Sequence, residues 1–200
     1  MVFIHEPISP TSVLEHINLY INYLYVEKKE NIKLFQLILL LYYPMQPSVS
    51  IRKASLDDFE RIIELENTCF ISELAYTRRQ LRYLLTKANS TVFVETTNTI
   101  VRGFIIILYR KGTRVAGIET INVDPAFRKQ GVGLRLLNAA EEDIRKKGMR
   151  KIRLEVSTTN HAAIMLYKNG GFKKIAFLKN YYLYDHDDSR DAIRMIKDLW

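Results

Sequence analysis

The spacing of hydrophobic and polar positions changes several times along this chain, and the changes predict its elements. Residues 49–54 alternate apolar and polar side chains, a strand signal. Ser55, with Asp57 and Asp58 behind it, reads as a helix cap with acids in the first turn. Phe59, Ile62, Ile63 and Leu65-Glu66 then give a helical face that runs to Asn67. Thr77 caps a second helix through Leu85, and the loop between the two helices, residues 69–76, carries several apolar residues. Residues 91–95 form a strand, Thr97-Asn98-Thr99 a turn, and Ile100–Tyr109 a long β-branched strand containing Gly103. After a turn at Lys111-Gly112-Thr113, Val115–Val123 is the next strand, ended by Asp124-Pro125. A long helix follows over residues 131–147, with Leu134, Leu137, Ala140 and Ile144 on one face and Gly148 just past its end. Residues 151–156 alternate again, residues 160–168 form a short helix ended by Gly170-Gly171, and residues 172–184 and 192–196 are the last strands, joined across a charged connection.

The order β-α-α-β-β-β-α-β-α-β-β predicts an α/β (α+β) domain with a mixed sheet and helices on both faces. Its parallel pair is the strand ending at Val123 and the strand around Ile152, joined through the long helix.

The first forty-eight residues differ in character from this domain, taken as residues 49–200. Residues 12–43 are rich in Leu, Ile and Tyr, and Leu34 to Tyr43 is broken only by Gln36. That run is half of the roughly 20 residues a membrane span needs. It lacks the order of a signal peptide, because acids and no basic cluster precede it, and Pro44 and Pro47 interrupt any helix. Three readings fit: one or two helices packed on the domain, an interfacial anchor, or extra sequence without fixed order. Met45 sits directly before the first convincing strand, so an upstream mis-set start is an equal alternative to a real appendage.

Composition narrows the class. The 200 residues are 48% hydrophobic and 26% charged, a globular balance with one cysteine, Cys69, and hence neither a disulfide framework nor a thiolate-rich zinc site. The four histidines, His5, His16, His161 and His186, lack metal-ligand spacing, so no built-in metal is expected. The net charge is +8, and because residues 1–48 carry one net negative charge the domain carries +9. A domain this basic suits nucleic acid, a phosphorylated cofactor or an acidic assembly, and equally a solvated surface with no ligand.

Arg128-Lys129-Gln130-Gly131-Val132-Gly133 lies between a strand end and a helix start. Its glycines let the backbone approach an anion, and the unpaired N–H groups and dipole of the helix start favour negative charge. This chemistry suits a pyrophosphate. No Gly-Lys-Ser/Thr follows, so it is not a P-loop, and Leu136 stands at the third glycine position of a dinucleotide fingerprint. By itself the glycine pair also suits a tight strand-to-helix turn.

Together with Asn122-Val123-Asp124-Pro125, Leu154-Glu155-Val156, Asn160, Ala163-Ile164, Leu166-Tyr167 and Gly171-Phe172, the loop resembles the GNAT superfamily of acyl-CoA-dependent N-acetyltransferases. The spacing from Leu154 to Phe172, with Asn180-Tyr181-Tyr182 and residues 191–195, is similar to the protein N-terminal α-acetyltransferases of the ribosomal-protein-alanine type and their archaeal relatives. The resemblance covers about residues 49–197. It implies a mostly antiparallel sheet with a central splayed parallel pair and, as cofactor, acetyl-CoA held in the splay.

The resemblance implies the following roles. Ile121, Asn122 and Val123 would offer backbone groups to the pantetheine arm, with a backbone N–H near Asn122 facing the thioester oxygen. Residues Arg128, Lys129, Gln130, Gly131, Val132 and Gly133 would hold the pyrophosphate. Asn160 would cap its helix and bond the pantetheine arm. Glu155 would be the general base, acting through water, and Tyr167 the proton donor to the leaving thiolate. Glu119, two residues beyond Gly117 where many relatives carry an acid or histidine, is a second candidate base. Phe70, Tyr76, Tyr181 and Tyr182 would receive the acceptor. Cys69 reads as a small buried hydrophobe, and direct attack in a ternary complex is expected. The acceptors implied are protein N-termini, of ribosomal proteins or nascent chains, in a cytoplasmic setting. The same scaffold also suits a small amine, a polyamine or a lysine, and a module that binds CoA, RNA or the ribosome without catalysis is the alternative of another class.

Overall fold

A computed structural model of the protein describes residues 48–186 and 188–200. The expectations for residues 12–43 and for a start at Met45 lie outside the described residues. Their elements run β1 (Val49–Lys53), α1 (Phe59–Cys69), α2 (Arg78–Thr86), β2 (Ser90–Thr97), β3 (Ile100–Tyr109), β4 (Val115–Val123), α3 (Val132–Lys146), β5 (Lys151–Ser157), α4 (His161–Asn169), β6 (Lys173–Leu178) and β7 (Ala192–Asp198). This is the order that the sequence predicts. Among the described residues no helix is long and apolar enough to cross a membrane.

The strands form one seven-stranded sheet in the order β1-β2-β3-β4-β5-β7-β6. Every neighbouring pair is antiparallel except β4 and β5. β3 lies inside the sheet and is buried on both faces, which is why its sequence is an almost unbroken apolar run. Ile105 and Ile107 turn to one face, where they meet Leu136, Leu137, Ala140 and Ile144 of α3. Phe104 and Ile106 turn to the other, against Ile62 and Leu65 of α1 and Leu81 and Leu84 of α2. Local capping matches the sequence. Ser55 and Asp58 form a capping box, Arg52 holds Asp58 through bonds of 2.7 and 2.8 Å, and Thr77 and Gln80 form a second box.

The last strand, β7, inserts between β5 and β6. Two details depart from expectation. The strand predicted over residues 172–184 stops at Leu178, because Asn180 takes a left-handed φ of 51° and turns the chain away from the ladder. Leu134 is 41% exposed, and the buried stripe of α3 is instead Val132, Leu136, Leu137, Ala140 and Ile144.

Gly103 fixes where α3 begins relative to the sheet. A Cβ at this position would lie 2.6 Å from the Asn122 carbonyl oxygen and 3.1 Å from Cγ1 of Val132. The first contact is with neighbouring backbone and cannot be relieved by a rotamer change. Gly103→Ala is therefore expected to destabilise the domain by about 1–3 kcal/mol, the usual cost of overpacking, measured by denaturant unfolding at constant m-value.

Candidate active site

The site begins where two parallel strands part. β4 pairs with β5 only through Val115, Ala116 and Gly117, opposite Lys151, Ile152 and Arg153. Beyond that point β4 continues for six residues along β3 alone. One residue, Glu119, is extra in the β3–β4 register: Ile106 pairs with Thr120 and Ile107 with Ile118. Such a bulge bends its strand and raises the local twist. It also shifts the side-chain alternation, so that Ile118, Ile121 and Val123 all pack on the α3 face, whereas Asn122 turns to α1.

The Asp124 amide donates to the Arg102 carbonyl at 2.9 Å. By antiparallel alternation, Asn122 is then hydrogen-bonded to its partner Phe104, while Ile121 and Val123 direct their backbone groups to the parted side. Asn122 thus corrects the expectation that it faces the cofactor. Its side chain is buried and donates to Glu66, and its backbone is committed to β3. The open positions are those of Ile121 and Val123, although the Val123 carbonyl also accepts from Arg128 Nε at 3.3 Å and from the Cys69 thiol at 3.5 Å.

The glycine loop lies at the same end. Gly131, with φ 79°, is the N-cap of α3, and Lys129 is also left-handed at φ 62°. Gly133 packs α3 onto α4, because a Cβ there would meet Leu166 Cδ2 at 3.2 Å. The Val132 side chain is buried, so this residue offers only its backbone to an anion. Arg128 turns inward onto Val123 and Cys69, Gln130 Nε2 donates to the Ala126 carbonyl at 3.3 Å, and Lys129 has no side-chain partner among the described residues.

A network that sequence reasoning missed supports this loop. Glu95, fully buried on β2, accepts from Arg102 and from Arg135, the latter at 2.8 and 3.0 Å. The third nitrogen of Arg135 donates to the Gln130 carbonyl at 3.0 Å. That carbonyl is held toward Arg135, which leaves the N–H groups at the start of α3 to face an anion. Arg61 of α1 adds a second anchor, bonding Asp124 and, at 3.1 Å, the Val101 carbonyl.

The opening between β4 and β5 leads into a cleft of about 410 Å³. Glu155, Glu119, Tyr167, Asn160, Phe70 and Tyr76 line it, so the structure brings both candidate bases and the candidate acid together. Glu155 sits opposite Arg194 of β7, whose Nε donates to one of its carboxylate oxygens at 2.6 Å, and Arg153 Nε lies 3.4 Å from the same oxygen. The other oxygen has no partner among the described residues. Glu119 accepts from the Tyr76 hydroxyl. Asn160 caps α4 by accepting from the Ala163 amide at 3.0 Å.

Tyr167 is 5% exposed, with its ring 5.7 Å from that of Phe172, and its hydroxyl has no hydrogen-bond partner among the described residues. Burial pushes its pKa well above the ordinary phenol value, with a smaller contribution from Tyr182, so it stays protonated. Burial likewise raises the Cys69 thiol, against the opposing pull of Arg128, which suits an inert side chain.

The remaining wall is aromatic. Tyr182 lines the cleft, between His186 at 4.0 Å and Tyr181 at 5.1 Å between ring centroids. Tyr181 is exposed beside Tyr182, outside the described lining, with Glu155 and Glu119 near enough to act on its phenol. Phe70 meets His186 edge-on at 6.2 Å.

Glu66, read from the sequence only as part of the α1 face and given no role, is a further residue of the site. It falls at i+3 and i+4 from Ile63 and Ile62, a charged residue on an apolar stripe, and that position was the available signal. It is 1% exposed, and its carboxylate accepts from the Tyr76 amide at 2.9 Å and from Asn122 Nδ2. It thereby ties the α1–α2 loop to β4.

Residues 58–172 match the acetyltransferase (GNAT) family. The chain belongs to that family. The [ribosomal protein bS18]-alanine N-acetyltransferase of Escherichia coli is 39% identical over 80 residues, which cover 40% of this chain and 53% of that protein. The match thus spans about half the length of that relative. Among solved structures, Ard1 from Thermoplasma volcanium superposes with a TM-score of 0.68 at 33% identity, covering 76% of this chain and 98% of the other. The Escherichia coli ribosomal-protein-S18-alanine N-acetyltransferase gives a TM-score of 0.67 at 26% identity, covering 76% and 94%.

Burial raises the Glu66 pKa, opposed by the Tyr76 and Asn122 bonds. Between the ordinary carboxyl value and this raised one, the folded protein holds a proton that the unfolded chain has released. The contribution to stability is full below the ordinary value and is lost as pH rises through the folded value. Unfolding free energies measured from pH 4 upward should therefore fall relative to those of Glu66→Gln; parallel curves for the two proteins would exclude Glu66 as the source.

Proposed function

We propose that this protein transfers the acetyl group of acetyl-CoA to the N-terminal α-amine of a protein. The observation that carries the reading is Tyr167, a buried side chain whose hydroxyl bonds no described residue, lining one cleft with Glu155 and Glu119 at the point where β4 leaves β5. Support for the acceptor class comes from the relatives named as N-acetyltransferases of a ribosomal-protein alanine.

The residues present fit acetyl-CoA. The start of α3, with Gly131 at its N-cap and Lys129 beside it, would hold the pyrophosphate, and the parted-side backbone groups of Ile121 and Val123 would take the pantetheine amides. When bound, the cofactor supplies an acetyl group activated as a thioester.

The acceptor amine needs little activation, since an α-amino group has a pKa of about 7.7–8.0 and is partly neutral near pH 7. Glu155 orients it and accepts its proton, directly or through a water, on the carboxylate oxygen that Arg194 leaves open. Tyr167 gives its hydroxyl proton to the departing sulfur. Glu119 is held by Tyr76 and serves to position the acceptor wall. Tyr182 and Phe70 bound the space for the first side chain, and Tyr181 braces Tyr182.

Two measurements test this. Release of free CoA should occur with short peptides that carry a free α-amine and should disappear when that amine is blocked; turnover of blocked, lysine-containing peptides or of spermidine would move the acceptor class elsewhere. Tyr167→Phe should lower kcat by about 10²-fold or more, as expected for loss of a general acid, while acetyl-CoA affinity by calorimetry stays within about twofold. Equal losses in both would assign Tyr167 to binding alone.

A further inference from the structure

The positive charge of the domain is not absorbed by the proposed active site, and much of it collects at the other end. Three segments meet there. The β3–β4 turn contributes Arg110, Lys111 and Arg114, the α3–β5 connection contributes Arg150, and the last described residue is Trp200. Backbone bonds fasten them together: the Arg150 amide donates to the Arg114 carbonyl at 2.8 Å, and the Leu199 amide donates to the Arg150 carbonyl at 2.9 Å. Arg114, Gly148, Arg150 and Trp200 line a shallow pocket of about 570 Å³.

The acids nearby are already neutralised. Asp143 pairs with Lys147 at 2.9 Å, Glu142 with Lys146 at 2.6 Å, Glu141 with Arg145 at 2.8 Å, and Asp198 with Lys151 at 2.8 Å. Arg110, Lys111, Arg114 and Arg150 are exposed, and none has a described acidic side chain within ion-pair distance. Among the described residues, these four cations thus have no acidic partner.

Trp200 sets the kind of partner. It is 78% exposed, yet it is fixed: its Nε1 donates to the Met149 carbonyl at 3.2 Å, and the Arg145 guanidinium carbon lies 5.3 Å from the ring centroid. One ring face is covered by the arginine, and an aromatic face stays open beside the free guanidinium groups. Cations that follow a phosphate backbone, together with an aromatic platform for an unstacked base, are the two parts of single-strand recognition. An acidic protein surface would use the charges but not the ring.

We propose that this end of the domain, built from Arg110, Lys111, Arg114, Arg150 and Trp200, binds single-stranded RNA. The surface lies at the C-terminal end of α3, a helix of 15 residues, whose N-terminus faces the glycine loop. At 1.5 Å per residue the two ends are about 22 Å apart. RNA binding and acetyl transfer are therefore separable by mutation.

The test uses the full chain and a fluorescein-labelled oligouridine of about 20 nucleotides, long enough to span a single-strand site, followed by anisotropy at several salt concentrations. The Arg110→Ala/Arg114→Ala/Arg150→Ala variant should bind at least about tenfold more weakly, and its slope of log K against log salt should be shallower by about 2, from three phosphate contacts at about 0.7 each. Trp200→Ala should also lose about tenfold, with the slope unchanged, as expected for loss of one stacked base. Both variants should release CoA from peptide substrates as the parent does, which separates loss of the surface from loss of the fold; if the triple variant does not fold, Arg150→Ala and Trp200→Ala carry the test. Absence of saturable RNA binding by the parent, or unchanged binding by these variants, would overturn the proposal. So would polyglutamate binding as tightly as RNA, which would reassign the surface to an acidic protein.

Discussion

The separation of β4 from β5 is the constraint on which the rest of the structure depends. Two adjacent parallel strands normally share their backbone bonds along their full length, and each such bond contributes about 0.5–1.5 kcal/mol net. Here the pairing ends after Gly117 and Arg153. The extra residue in β4 makes this tolerable. Glu119 shifts the alternation so that Ile118, Ile121 and Val123 all keep their side chains in the α3 core while their strand turns away from β5. Without the shift, parting the strands would move Ile121 and Val123 out of that core. The backbone groups left on the parted side have no strand partner, and a ligand with amide groups completes them better than water does. The pocket is therefore a consequence of sheet geometry, and its side chains are added to it.

Polar networks buried on both sides of the sheet hold that geometry. On the α3 face, Glu95 anchors Arg135, and Arg135 holds the carbonyl preceding Gly131. On the α1 face, Glu66 joins Asn122 of β4 to the Tyr76 amide, and Arg61 joins α1 to Asp124. The first connects β2 with the glycine loop, and the other two connect β4 and its end with α1 and the loop that follows it. Isolated buried carboxylates are costly, and Glu95 is offset by two guanidinium groups whereas Glu66 has only neutral donors. The burial that raises the Glu66 pKa is the cost of fixing the α1–α2 loop at a set distance from β4.

Much of this was legible in the sequence. The bounds of β3 and β4 follow from their apolar runs, and the glycine loop stands out because two glycines fall between a strand end and a helix start. What was not legible depends on register. Ile118-Glu119-Thr120-Ile121 reads as strand with no sign of the bulge, because a bulge is defined by the partner strand. Arg194 becomes the partner of Glu155 only because β7 lies beside β5, and no local pattern says so. The aromatic run Tyr181-Tyr182-Leu183-Tyr184 was read as strand because such residues favour strands. It is instead irregular backbone that directs Tyr182 into the cleft. Leu134 was assigned to the buried stripe from spacing alone, although the α3 face is set by which side meets β3.

The distribution of charge joins these observations. The described lining of the cleft includes Glu66, Glu73, Glu119 and Glu155 and no lysine or arginine, in a domain whose net charge is positive. Arg153 and Arg194, beside the cleft, are spent on Glu155. The aromatic wall therefore carries a local negative potential, while Lys129 and the start of α3 make the other side of the same opening positive. The two sides of one gap thus differ in sign, which is what the proposed amine and diphosphate would each require. Arg114 and Arg150 at the far end stand five residues along β4 and β5 from Glu119 and Glu155, about 17 Å at 3.3 Å per residue, or about two Debye lengths at physiological salt. Most of their field is screened before it reaches the cleft, so the basic surface and the acidic cleft act largely independently on one sheet.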